Sequence, residues 1–395
     1  MEYRIKRQVD TQVLRRDRLL NTLTWLQKLM LLGLIASIVL SLYAFRTNIS
    51  DAYVAYRTRV QLSQVAENSR IYFEPDSTNS FELFGSSLAV LNQSSFRLYS
   101  PTGSEQLSLS RISSMPAMSV SDSFTMLYSR GSPDITVATL TAQQGIVSVS
   151  GGIINVTQND AGCMAVVHDD SRYRSVVSVF DNTQNLIYEW KTSEYYLLTA
   201  AISPDSKTMA AVALTQEDAE FVSRLVFFDL GVEAIHASYD LSGTMVTDLV
   251  FLDNRTLCAV GDDRTVIVSR DGEAVWEYGY GSDMLRACTY DGDTCILATV
   301  DRTSGLSAKL ISLTPDREPI VVETEEVRGI DLGGGYLSIL YTDTVEIRSQ
   351  DLEIRSKPVT VYDVRYVFTV ADGRTLLVYS SEAGIVDMIA PFALS

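Results

Sequence analysis

The chain has 395 residues, a formal charge of −17, 46% hydrophobic and 21% charged residues. Its length fits several small domains or one large sheet-rich unit, and its composition excludes an extended disordered chain. A body this acidic repels phosphate backbones, which argues against nucleic-acid binding, while four cysteines and two histidines are too few for a disulfide scaffold or a multi-zinc protein.

In chain order, residues 1–22 form a basic tail with Arg4, Lys6, Arg7, Arg15, Arg16 and Arg18. From Leu29 to Phe45 no charged residue interrupts the apolar run LMLLGLIASIVLSLYAF. These 17 residues span about 25 Å as helix, slightly less than the hydrocarbon core of a bilayer. Lys28 can extend its ammonium back to the headgroups, so Trp25 and Leu26 join the run and Trp25 and Tyr43 reach the two interfaces. A transmembrane helix over residues 23–45 is therefore expected, in contact with membrane lipid. A cleavable signal peptide fits less well, because no small-x-small pattern surrounds Leu42 to Phe45. Seven basic residues precede the exit of the run, against Arg46, Arg57 and Arg59 just beyond it. That bias orients a single-pass anchor in the cell membrane with the N-terminus cytoplasmic and the large domain extracytoplasmic. Residues 46–68 contain neither Pro nor Gly and read as a juxtamembrane helical stalk.

From residue 69 to 395 the pattern changes to short β-branched and aromatic runs between Asp, Gly, Asn and Ser turns, the mark of an all-β domain. The most apolar run recurs eight times, as SLAVLN (87–92), FTMLYS (124–129), CMAVVH (163–168), TMAAVAL (208–214), TLCAVG (256–261), TCILAT (294–299), YLSILY (336–341) and TLLVYS (375–380). A spacing of roughly 40 residues is that of a propeller blade. Turns such as SPDSK (203–207) and LDNRT (252–256) precede these runs and close a hairpin with an innermost strand, and two further strands follow. Continuous apolarity is expected where neighbouring blades cover both faces of a strand, and alternation where one face meets water. The last copy stops after a third strand near GIVDMIAPF (384–392), while an orphan strand near RIYFEP (70–75) precedes the first copy. Joined, they complete one blade and close the ring. The expected fold is an eight-bladed β-propeller, or a seven-bladed one if the weak region from Arg111 to Gly145 is not a blade.

By these repeats the chain resembles the WD40-like and quinoprotein-like β-propellers. It lacks the Gly-His and Trp-Asp dipeptides of the former and, with only Trp25, Trp190 and Trp276, the tryptophan docking of the latter. Anchor plus degenerate propeller is also similar to an uncharacterised family of bacterial single-pass propeller proteins, which implies an extracytoplasmic domain without an assigned activity.

Candidate chemistry concentrates in the turns after the second strands. His168, Asp169, Asp170, Asp262, Asp263, Asp301 and Asp343 fall on one face of the expected disc and would make an acidic rim for a basic partner or a divalent cation, although Asp also suits tight turns as such. If Asp291 and Gly292 form a two-residue turn, Cys288 faces Cys295 and a disulfide becomes feasible; buried free thiols are the other outcome. Cys163 and Cys258 read as small core residues. Neither histidine sits in a nucleophile motif, and Gly151-Gly152 and Gly333-Gly335 precede no helix that could hold phosphate. No cofactor or metal is expected. The leading expectation is a non-catalytic module that presents a loop face to protein or cell-wall partners; the alternative is a small-ligand sensor or enzyme that uses the central channel.

Overall fold

The computed structural model describes residues 69–388 apart from 111–112, 218–219, 233, 306 and 371–372. The proposed tail, membrane helix and stalk at residues 1–68 lie outside the described residues. The described chain is organised as eight four-stranded antiparallel sheets. Blade 1 covers residues 80–110, blade 2 116–148, blade 3 153–192, blade 4 196–242, blade 5 246–279, blade 6 283–325 and blade 7 329–360. Blade 8 combines residues 366–387 with the first strand of the domain. The weak region that left seven blades open is a complete sheet, blade 2.

Closure occurs as the chain ends imply. Arg70–Tyr72 pairs antiparallel with Glu382–Asp387 as the outer strand of blade 8, with Ile71 opposite Ala383. Ile71 is buried against Leu88 of blade 1 and Leu376 of blade 8, so the seam is packed as well as hydrogen-bonded. Arg70 adds an ion pair to Glu382 at 2.8 Å. No blade is left with an open flank, and pairing of strand edges with other chains is limited to the outer circumference.

Within a blade, burial grades outward as expected. Second strands such as Ser87–Leu91 and Met164–His168 are buried at every position, because the sheets on either side cover both faces. The outer strand Arg317–Glu325 of blade 6 alternates instead, with Glu318, Val321, Glu323 and Glu325 turned to solvent. The core therefore lies between blades. Between blades 3 and 4, Val177 and Val179 meet Met209, Ala211 and Phe228, and the Trp190 ring packs 4.7 Å from that of Phe228. The short side chains Ala210, Ala211 and Ala213 let this inner sheet sit close to its neighbours. Each fully buried Phe or Leu in these layers contributes about 1.5–3 kcal/mol.

Connectivity assigns each turn to a face. The turns from first to second strand and from third to outer strand lie on one side, here the inner-hairpin face. The turns from second to third strand, and the links between blades, lie on the other, here the linker face. Residues of all eight inner strands line the lumen at the inner-hairpin end.

Candidate functional site: the channel mouth

The predicted rim residues do lie on the linker face, and the side chains of all but Asp343 are engaged in holding it together. The Asp169 carboxylate accepts from the backbone N–H of Gly152 at 2.5 Å, and Asp170 accepts from the N–H of Arg172 at 2.8 Å and the Ser150 hydroxyl at 3.1 Å. Gly151 passes so close to Asp169 that a Cβ there would lie 2.2 Å from its oxygens, which is why this link carries glycine. In blade 5, Asp262 accepts from the Met245 N–H at 2.8 Å, and Asp263 accepts from the Thr244 hydroxyl at 2.7 Å and pairs with Arg264 at 3.0 Å. Asp301 accepts from the N–H groups of Thr303 and Ser304 at 3.0 and 2.6 Å. Asp343 contributes its backbone carbonyl, which accepts from the Val361 N–H at 2.8 Å. These aspartates tie a turn to itself or to the neighbouring link, as Asx geometry favours.

His168 corrects the expectation. It ends a fully buried strand at 1% exposure. Its Nδ1 lies 2.8 Å from the Asp169 carbonyl oxygen and its Nε2 2.9 Å from the Ser178 hydroxyl. Because a carbonyl only accepts, Nδ1 carries the proton toward it. The imidazole is a satisfied core group and offers nothing to a rim.

Of the two outcomes open for Cys288 and Cys295, the free thiols hold and the disulfide does not form. Strand pairing places Tyr290 opposite Cys295 and Cys288 opposite Leu297, and all four cysteines are free. Gly292 has a φ of +56°, while Asp293 is not among the residues with positive φ. The glycine thus takes the first central position of the turn, as type II′ requires, and Asp291 pairs with Thr294. The Cys295 thiol instead meets that of Cys258 across blades 5 and 6, and this contact together with burial holds it well above the usual thiol range. Burial pushes the Cys288 thiol up to about 12, helped by the Asp248 carboxylate whose Oδ2 lies 3.9 Å away.

The groups that the sequence reading passed over are in the channel. At its inner-hairpin end two adjoining cavities of about 290 and 500 Å³ share Val120, Asp122, Asp160 and Tyr290. Together they are lined from all eight blades. Glu82, Asp122, Asp160, Asp248, Asp291 and Asp331 line them, and no Lys, Arg or His side chain does. Three of these carboxylates occupy equivalent places, the third residue of an inner strand and the one before a leucine: Glu82-Leu83 in blade 1, Asp248-Leu249 in blade 5 and Asp331-Leu332 in blade 7. Blade 3 has Asn155 at that place. Asn155 and Asp248 act alike, each accepting from the next backbone N–H, at 2.9 and 2.8 Å. Blades 1, 5 and 7 therefore bring a carboxylate to the lumen at mid-strand, whereas Asn155 joins Tyr128 and Thr199 of the neighbouring blades; a charge interrupting an otherwise apolar inner strand was the legible signal.

The electrostatics follow from this crowding. Glu82, Asp248 and Asp331 have no ion-pair partner among the described residues. Burial raises the Asp331 carboxyl to about 7; the Thr369 N–H, 2.5 Å from Oδ2, opposes the shift, and the charges of Glu82 and Asp291 reinforce it. Burial also raises Glu82 and Asp248. Glu82 and Tyr290 are open to the lumen by surface area, yet protein surrounds them on every side, so it is the ring of low-dielectric walls that disfavours the charged forms. Among the described residues no three His, Cys, Asp or Glu side chains are placed to hold a metal ion together.

Among solved structures, the chain is similar in fold to BamB from Moraxella catarrhalis, with a TM-score of 0.51 and 12% identity over 81% of this chain and 99% of that one. Hydrazine synthase from Kuenenia stuttgartiensis aligns less closely, with a TM-score of 0.45 and 13% identity over 82% of this chain and 99% of that one. At these identities the likeness concerns the fold alone. No curated protein matches the sequence. Residues 58–382 match the family of unknown function DUF5711, and as this is most of the chain, the protein belongs to that family.

Proposed function

We propose that the protein is a membrane-anchored, extracytoplasmic scaffold whose propeller binds envelope partners without catalysing a reaction. The observation that carries this reading is the channel mouth, where residues from all eight blades, several of them in the inner-hairpin turns, line two adjoining cavities. A closed ring holds such turns rigidly, so little ordering entropy is lost when a partner docks. The apolar run from Leu29 to Phe45 and its basic flank support an anchor that keeps the domain at the membrane, N-terminus inside.

Two measurements on the full chain test the reading. In spheroplasts, added protease is expected to cleave the propeller without permeabilisation; protection until the membrane is opened would reverse the sidedness. A photo-reactive side chain at Asp293 on the inner-hairpin face, or at Asp343 on the linker face, is expected to give a discrete adduct from at least one position in intact cells. No adduct from either face would remove the scaffold reading.

A further inference from the structure

The linker face carries arginines as well as aspartates, and the two stand at different distances from the axis of the disc. The aspartates follow the second strands and are held by nearby donors. Arg286, Arg328 and Arg365 instead belong to the innermost strands of blades 6, 7 and 8, or lead directly into them. Hydrogen bonds between blades fix their level. The Leu332 N–H donates to the Thr289 hydroxyl at 3.0 Å and the Gly334 N–H to the Asp291 carboxylate at 2.7 Å, so blades 6 and 7 run in step. The Thr369 N–H, 2.5 Å from Asp331 Oδ2, keeps blade 8 in step with blade 7. Arg286 lies three residues before Thr289, Arg328 three before Asp331 and Arg365 four before Thr369. The three arginines therefore come to one level on three neighbouring strands.

All three are exposed. Arg286 is exposed within its strand because the ladder bulges there: Leu285 faces Thr299, Ala287 faces Ala298, and Arg286 is left unpaired between them. Glu326, Asp343 and Asp363 lie in the adjoining links and turns, yet among the described residues no carboxylate pairs with these guanidinium groups. In a chain of net charge −17, where carboxylates are plentiful, that leaves a local site for an anion. Exposed apolar side chains stand beside it: Met284 two residues before Arg286, Tyr366 next to Arg365, and Tyr362 in the link before it.

An occupant has to answer both features. A bare inorganic anion would leave Met284 and the tyrosines wet, and a polymer charged at every unit would be repelled by the acidic remainder of the disc. Carboxylates spaced by apolar groups meet neither objection, and each can take two parallel bonds from a guanidinium fork. We propose that the linker-face ends of the innermost strands of blades 6, 7 and 8 dock an acidic segment of a partner protein, in which Asp or Glu is interspersed with apolar residues; the inference rests on the scaffold reading and names its docking face.

The test uses the full chain in detergent micelles and three fluorescent peptides: alternating Glu and Leu, oligoglutamate of equal charge, and alternating Gln and Leu. Fluorescence anisotropy is expected to show the Glu-Leu peptide binding tighter than the other two. Combining Arg286→Gln, Arg328→Gln and Arg365→Gln should weaken it by about tenfold or more. Combining Arg255→Gln, Arg302→Gln and Lys357→Gln, which changes the net charge equally from exposed positions elsewhere on the disc, should leave it unchanged. Should the first combination fail to fold, Arg286→Lys alone, which keeps the charge and loses the planar fork, should give a smaller loss in the same direction. Equal losses in the two combinations, or equal binding of either control peptide, would overturn the proposal. So would displacement of the Glu-Leu peptide by inorganic phosphate where equal acetate has no effect, since the arginines would then serve a phosphate. Self-association in sedimentation that the arginine substitutions abolish would seat a second copy there and overturn it too. Failure of the peptides while cross-links persist from Asp293 or Asp343 would sink this docking face and leave the scaffold standing, whereas silence in both assays removes both.

Discussion

Two sets of carboxylates on the same disc behave differently. On the linker face, Asp169, Asp170, Asp262, Asp263 and Asp301 accept from N–H groups, hydroxyls or arginine close at hand. Hydrogen bonds lower Asp170, first among them that from the Arg172 backbone; for Asp263, those from Arg264 and Thr244 outweigh burial. In the channel, Glu82, Asp248 and Asp331 are raised, chiefly by burial. The difference teaches that residue type and face do not identify a binding surface; the balance of partners around each charge does. Turn aspartates are held by donors close at hand, whereas Glu82, Asp248 and Asp331 have no ion-pair partner among the described residues and are raised by burial.

Substitutions can break this contrast. The largest effect is expected at His168, which sequence position alone would group with the rim. His168→Ala removes a buried ring and leaves Ser178 without that contact, so urea unfolding should show a loss of about 2–4 kcal/mol; a change within about 0.5 kcal/mol would return the residue to the surface. Next, Asp331→Asn should stabilise the protein in alkaline conditions. A carboxyl raised from 3.8 to about 7 binds more protons folded than unfolded between those values. Its favourable contribution is complete below the lower value and lost as pH rises through the upper one. Thermal melts should therefore place Asp331→Asn above the wild type at pH 8, by about 1–3 kcal/mol, with the gap closing toward pH 5. A constant gap would mean that Asp331 is not titrating there.

Asp263→Ala should cost about 1 kcal/mol, since the Thr244 hydroxyl loses its acceptor while exposure limits the worth of the Arg264 pair. Chemical denaturation would read this, and a gain in stability would group Asp263 with the buried carboxylates of the channel. The smallest change concerns the thiols. Alkylation of the denatured chain without reductant should modify all four cysteines, and protection of Cys288 and Cys295 together would restore the bridge that the strand register denies.

Much of the fold was readable because its repeat is written in burial. Runs such as SLAVL and MAVVH are apolar throughout because both faces are covered, and the incomplete first and last copies implied the closing strand. The Cys288 hairpin was not readable. Asp-Gly can place glycine in either central position of a two-residue turn, the choice depends on backbone twist, and one step in register changes which side chains meet. The site was misplaced for a different reason. Aspartates clustered in turns are conspicuous in a sequence, whereas Glu82, Asp248 and Asp331 stand singly, roughly 80 residues or more apart, and become neighbours only when blades 1, 5 and 7 curve around one lumen. His168 was misread because the end of a strand gives no indication of whether the next turn folds back over it.

The central claim is that burial, with no ion-pair partner among the described residues, holds the Asp331 carboxyl above the ordinary carboxylate range. Its most direct measurement is a carbon-detected NMR titration of the Asp331 side-chain carboxyl in the full chain, assigned by its disappearance in Asp331→Asn. A midpoint near the expected value of about 7 would uphold the claim. A midpoint at or below the ordinary 3.8 would show that the channel supplies its own counter-charge, and would contradict it.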